Sequence, residues 1–203
     1  LDADHERRTV TLLQAADPFT IDDIPAEEAR IIHFAGLFAG DLPEELVERL
    51  APRGEIALDA QGVVRKNEAG DLVSGDWKRK ERFLPSITYF KTDAAEAEAL
   101  TGLSDREKAA GRLVEMGARE VMLTYHSEVL LAAPGELHRA PLTPRNLSGR
   151  TGRGDTCFAA YLARRLSHDR EESLRYAAAL VSIKLETPGV FRGTPEDVIA
   201  RIT

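Results

Sequence analysis

Four short apolar runs constrain this chain more than any other feature. Ile31-Ile32-His33-Phe34, Glu55-Ile56-Ala57-Leu58-Asp59, Ile87-Thr88-Tyr89-Phe90 and Glu120-Val121-Met122-Leu123-Thr124 are each too short for a helix. Apolar runs of this kind, without strict polar alternation, suit strands buried on both faces. Between and after them lie helical patterns: Asp41 to Leu50, with Asp41 as N-cap, Ala94 to Leu100, and Asp105 to Met116. Alternation of this type predicts an α/β fold with a mainly parallel sheet flanked by helices. Val129 to Ala133 and Glu136 to Arg139 flank Pro134-Gly135, which predicts a hairpin at one edge. From Gly154 the chain reads as three helices: Gly154 to Leu166, Arg170 to Leu185 and Pro195 to Ile202. Thr9 to Leu13 reads as a short β-run, Pro18 to Pro25 as a connector, residues 61 to 76 as a polar loop, and Trp77 to Leu84 as a short helix.

Composition excludes several classes. With 203 residues and 30% charged side chains the chain is of ordinary globular make-up. Its 27 Lys and Arg against 34 Asp and Glu leave a net charge of −7, which argues against nucleic acid as a partner. The single cysteine, Cys157, rules out an internal disulfide framework and suits a reducing, cytoplasmic setting. No apolar run nears the ~20 residues of a membrane span, and no signal peptide opens the chain.

In open α/β sheets, ligands gather where strands end at their carboxyl termini. That directs attention to Gly36, Asp59, Lys91 to Glu96, Thr124 to His126, and the loop before the helix at 154. The loop reads Ser148-Gly149-Arg150-Thr151-Gly152-Arg153-Gly154-Asp155-Thr156-Cys157-Phe158. Glycines at a helix start let backbone N–H groups converge on an anion, helped by the helix dipole. A carboxylate there, Asp155, can take the proton of an attacking hydroxyl. The loop is neither a Walker A nor a dinucleotide fingerprint. Read only as a turn, Asp155 would be a helix N-terminal acid contributing ~0.3–1 kcal/mol.

Other features admit plainer readings. Asp93-x-x-Glu96 is also a capping box. Asp59 and Arg65 also read as a surface ion pair. His33 in an apolar strand reads as a packed side chain, Trp77 as a loop anchor, and Cys157 as a small buried residue.

The loop and three further segments together resemble the ribokinase/PfkB carbohydrate kinase family. Gly152-Arg153-Gly154-Asp155 resembles its C-terminal signature, usually Asp-Thr-x-Gly-Ala-Gly-Asp. Leu58-Asp59-Ala60-Gln61-Gly62-Val63-Val64-Arg65 resembles an Asp-x-Gln-Gly-x-x-Arg stretch of some members. Asp93-Ala94-Ala95-Glu96 through Leu100-Thr101-Gly102 resembles the Asn/Asp-x-x-Glu motif. Tyr176 through Thr187-Pro188-Gly189 resembles the nucleotide-side helix and its exit.

The resemblance implies a ribokinase-like fold: residues 1–25 as a remnant of a β lid and connector, residues 26–203 as the kinase core. It implies ATP-dependent phosphoryl transfer to a hydroxyl of a small sugar-like substrate. Asp155 is then the base, and the N–H groups of Gly152, Arg153 and Gly154 form an anion hole. Asp93 and Glu96 organise Mg²⁺; Thr124, Ala178, Pro188 and Gly189 contact the nucleotide; Gly36, Asp59, Arg65 and Arg150 face substrate or phosphate. A homodimer fits the same resemblance.

Three departures stand out. Gly149 and Arg150 replace the signature's usual Asp and Thr, an Asp tied to a monovalent-cation site in some members. This leaves K⁺ dependence open and gives Arg150 or Arg153 as the substitute charge. His126 replaces a glycine in the Thr-x-Gly turn. The family's N-terminal third, with most substrate-binding residues, has no counterpart in this sequence, which matches the C-terminal two-thirds. The rival readings are a non-catalytic nucleotide-binding relative and a nucleoside kinase.

Overall fold

The computed structural model describes residues 10–149 and 151–202. Its main sheet is built from β1 (Ile31–Phe34), β2 (Glu55–Asp59), β5 (Tyr89–Asp93), β6 (Glu120–Thr124), β7 (Glu128–Ala133) and β8 (Glu136–Pro141). Their order across the sheet is β1-β2-β5-β6-β7-β8. The four strands expected from the apolar runs are all parallel. The Pro134-Gly135 hairpin then adds β7 and β8 antiparallel at one edge, with Gly135 at φ +74° in the turn.

Helices cover both faces, as parallel strands require. On one side α1 (Glu45–Leu50), α4 (Ala94–Thr101) and α5 (Arg106–Glu115) bury Leu46, Val47, Leu50, Leu100 and Leu113 against Ile56, Leu58, Phe90, Val121 and Leu123. On the other, α6 (Arg153–Arg165) and α7 (Arg170–Leu185) bury Phe158, Tyr161, Leu174 and Val181 against Ala57, Tyr89 and Met122. The last helix, α8 (Pro195–Ile202), packs on α7 through Val198. Among the described residues no helix is long and apolar enough to cross a membrane.

The polar stretch 61–76 is not a loop. It holds a one-turn helix α2 (Gln61–Val64) and an antiparallel hairpin of β3 (Arg65–Glu68) and β4 (Asp71–Ser74). Its turn takes two positive φ values, 54° at Ala69 and 102° at Gly70, and the Asn67 side chain accepts the Gly70 N–H at 2.9 Å. Because the hairpin stands off the main sheet it needs no apolar face, so the apolar pattern was silent. The expected β-run at Thr9 to Leu13 reduces, among the described residues, to one bridge between Thr11 and Asp71. Thr9 and the rest of the expected lid residues before it lie outside the described residues.

Two capping expectations part ways. Asp41 does not cap α1; its carboxylate accepts the Leu37 N–H at 2.8 Å, and the helix starts after Glu44. Asp93 does cap α4, and with Glu96 it forms a reciprocal capping box. The short helix after Trp77 is α3 (Lys80–Phe83). Trp77 anchors it, 5% exposed, with its indole N–H donated to Glu44 and its ring stacked on Phe83 and Phe90.

Candidate active site

The parallel strands deliver Phe34, Asp59, Asp93 and Thr124 to one end of the sheet, where Asp59 registers with Lys91 and Asp93 with Thr124. The start of α6 packs over this end. Gly152 precedes it in the left-handed region at φ +77°, a conformation that favours glycine. At Gly154 a Cβ would stand 2.9 Å from the Lys91 ammonium, so the glycine is what lets the helix sit on that lysine. The first N–H groups of a helix have no i−4 acceptor within it, and they open toward this end of the sheet.

The sequence reading includes Lys91 in the strand-end segment 91–96 but gives it no role, because a lone lysine in an apolar strand looks like an interruption. It is 5% exposed and pairs with Asp59, itself 1% exposed, at 3.1 Å. Burial opposes the lysine's charge, but Asp59, Glu96 and Asp93 outweigh it and raise its pKa. The surface pair expected between Asp59 and Arg65 does not form. Asp59 is buried with Lys91, and Arg65 reaches Glu96 instead, at 3.5 Å.

Glu96 is 3% exposed. Its Oε2 accepts the Asp93 N–H at 3.0 Å, and its own N–H is donated to Asp93 Oδ1 at 2.8 Å. Oε1 has no hydrogen-bond partner. Burial first, then the nearby Asp93 carboxylate, push its pKa up to about 7. Among the described residues no group of three or more His, Cys, Asp or Glu forms a metal cage. A buried carboxylate oxygen with no hydrogen bond and only a 3.5 Å ion pair to Arg65, beside a second carboxylate, nevertheless fits Mg²⁺, which keeps most of its waters and takes few protein ligands.

Asp155, one residue past Gly154, is solvent-exposed and within electrostatic range of both His33 and Asp59. His33 is not packed away as expected. It lies on the edge strand, open to solvent, with its ring edge-on to Phe158 at 5.0 Å. Desolvation lowers its pKa, while Asp59 and Asp155 pull the other way. Cys157 is 1% exposed, and burial pushes its thiol up to about 12, so it is a packing residue.

Gly36 and Gly62 meet backbone to backbone. A Cβ on Gly62 would stand 3.1 Å from the Gly36 carbonyl oxygen. Both line a small cavity with Phe34, Leu42, Leu58 and Asp59. A larger surface depression, edged by Asp169, Glu172 and Arg175, lies at the amino end of α7, far from these groups.

The donor side is placed less as expected. Thr124 is 3% exposed, with its hydroxyl 3.4 Å from the Thr92 carbonyl. Ala178, on α7, is 2% exposed and packs in the core. Pro188 and Gly189 are exposed just past the C-terminus of α7. Arg150 lies outside the described residues.

The model of the pfkB family carbohydrate kinases matches residues 1–197. The chain belongs to that family. Among solved structures, a pyrophosphate-dependent kinase of the ribokinase family, determined as a sulfate complex, is 37% identical with a TM-score of 0.90. The match covers 98% of this chain and 71% of that one. A structure of a pyrophosphate-dependent ribokinase-family kinase with a pyrophosphate analog and myo-inositol matches at 37% identity, TM-score 0.89, over 95% of this chain and 70% of that one. Ribokinase from Arabidopsis thaliana, complexed with ribose and ATP, shares the fold at 20% identity and TM-score 0.68, over 86% of this chain and 56% of that one. No curated protein sequence matches. The ribokinase-like α/β fold expected from the motifs is therefore present, and the chain is a carbohydrate kinase of this family, built for phosphoryl transfer to a sugar-like substrate.

Proposed function

We propose that the phosphoryl donor is inorganic pyrophosphate, not the ATP that the sequence resemblance implies, and that the acceptor is a hydroxyl of a small cyclic polyol. The carrying observation is the convergence of Asp155, the start of α6 and the buried Asp59–Lys91 pair at one end of the sheet. The donor assignment draws its support from relatives 37% identical that use pyrophosphate, against 20% for the ATP-bound ribokinase.

In this reading the Asp155 carboxylate accepts the proton of the acceptor hydroxyl as its oxygen attacks phosphorus. The new O–P bond forms as the P–O bond to the leaving phosphate breaks. N–H groups of Gly152, Arg153 and Gly154 face the oxygens of the transferring group, where charge is concentrated in the transition state. Lys91, held charged by Asp59, adds positive potential beneath Gly154. Glu96 and Asp93 would hold Mg²⁺ through its waters, and that ion, when bound, offsets the charge of the donor phosphates. The β3–β4 hairpin, with residues 10–12 beside it, serves as cover for the acceptor, so the lid takes in residues 65–74 as well as part of the segment 1–25 expected to form it.

The test is a donor and acceptor matrix: pyrophosphate or ATP against myo-inositol, ribose and a nucleoside, with product followed by phosphorus NMR. Transfer from pyrophosphate to a cyclic polyol supports the proposal. Transfer from ATP alone restores the ATP reading, and transfer to the nucleoside alone makes the protein a nucleoside kinase.

A further inference from the structure

Lys184, near the C-terminus of α7, is 3% exposed. Its ammonium donates to the Gly149 carbonyl at 2.6 Å and to the Thr151 carbonyl. Both carbonyls belong to the loop that leads into α6. Among the described residues no carboxylate pairs with this lysine, so its charge is met by backbone dipoles alone. A buried charge carries a desolvation cost of several kcal/mol. A leucine or methionine would fill the same space without it.

The charge has a geometric consequence. In a trans peptide the N–H points opposite to the C=O. With the Thr151 carbonyl turned onto Lys184, the N–H of Gly152 points away from it. The loop is clamped from a second side. The Gly149 N–H is donated to the Leu185 carbonyl at 2.8 Å, and a Cβ at Gly149 would stand 1.9 Å from the Thr187 carbonyl oxygen. Only glycine allows that approach, which goes together with the loop carbonyls reaching Lys184.

From this geometry we infer that Lys184 is a positioning residue, an internal monovalent cation that orients the loop's peptides so that N–H groups face the donor phosphoryl. The inference rests on the proposed role of the α6 start as the phosphoryl site. It moves the substitute charge expected at Arg150 or Arg153 onto α7, and it makes the protein independent of dissolved K⁺.

Two measurements test it. In the unaltered protein, exchanging Na⁺ for K⁺ leaves turnover and pyrophosphate affinity unchanged; stimulation of about tenfold or more overturns the inference. In Lys184→Met, kcat falls about 100-fold with acceptor KM little changed. Pyrophosphate affinity, read by calorimetry, weakens about tenfold, and NH₄⁺ or K⁺ recovers part of both losses. A variant that behaves like the unaltered protein, or a loss that no small cation recovers, overturns it. If Lys184→Met does not fold, the Na⁺–K⁺ exchange decides alone. The underlying reading fails separately: it falls if Asp155→Asn keeps full turnover, whereas an inactive Asp155→Asn beside an unaffected Lys184→Met removes only the lysine's role.

Discussion

Glu96 and Glu120 are each 3% exposed and sit at opposite ends of the sheet. Glu120, at the amino end of β6, is fully engaged. Its Oε1 accepts from Arg165 and Arg170, both at 2.9 Å, and its Oε2 from the Tyr161 hydroxyl at 2.5 Å. Burial alone would raise its pKa, but Arg165, Tyr161 and Arg170 overcome that and lower it. Glu96, beyond the carboxyl end of β5, has one oxygen in the capping box and the other without a hydrogen bond, and its pKa rises to about 7. The same side chain, equally hidden, is fully hydrogen-bonded where it only holds helices to the sheet and has one oxygen without a hydrogen bond, 3.5 Å from Arg65, at the end proposed to take a ligand. Buried polar groups are normally hydrogen-bonded, so the oxygen without a hydrogen bond distinguishes the end proposed as functional from the structural one.

The comparison breaks most visibly at Glu120. Replacing it with alanine strips the buried Tyr161 hydroxyl of its acceptor and leaves Arg165 only the His168 carbonyl and Arg170 only Glu136, and stability should fall by about 3–5 kcal/mol in denaturant unfolding. A loss under about 1 kcal/mol would mean that this network is as dispensable as a surface pair. Glu96→Gln keeps the capping box, since glutamine serves at that position, and removes a buried charge met only by the 3.5 Å pair with Arg65. Stability near pH 8 should rise by about 1–3 kcal/mol, while turnover drops if the proposed Mg²⁺ role holds; lower stability would equate the two glutamates.

The smallest effect is in the pH slopes, which should have opposite signs. The Glu96 carboxyl has a folded pKa near 7 against an ordinary 4.5, so the folded state holds its proton longer. Its ionisation removes stability as pH rises from 4.5 through 7. Glu120, with its folded pKa lowered, contributes stability that is present above its ordinary value of 4.5 and is lost in acid. Glu96→Gln should flatten the first slope and leave the second. The groups facing Glu96 are Asp93, Lys91, Asp59 and Arg65, a different set from the Arg165, Tyr161 and Arg170 that face Glu120.

The same division governs what could be read from the sequence. Buried parallel strands have continuous apolar runs, so β1, β2, β5 and β6 were legible, as was the hairpin turn at Pro134-Gly135. The β3–β4 hairpin was not, because it stands outside the main core and carries polar residues on both faces. At the site, Asp155 and its glycines were legible through local spacing, and Asp93 and Glu96 through the cap. The roles of Lys91 and Lys184 were not. Each looks like a charged interruption in an apolar stretch, and its role depends on a contact made in three dimensions: Lys91 under Gly154, Lys184 under Gly149 and Thr151. A lysine at the carboxyl end of a buried strand was the available signal for the first. For the second, the glycine replacing the usual acid at 149 was half of the signal, its partner lying 35 residues further on.

The central claim, a phosphoryl transfer site at the start of α6 with Asp155 as base, is tested most directly by the turnover of Asp155→Asn with pyrophosphate and polyol both saturating. The account predicts a loss of about 10²–10⁴-fold, with melting temperature and pyrophosphate affinity held close to those of the unaltered protein. Turnover within a few-fold of the unaltered protein would contradict it.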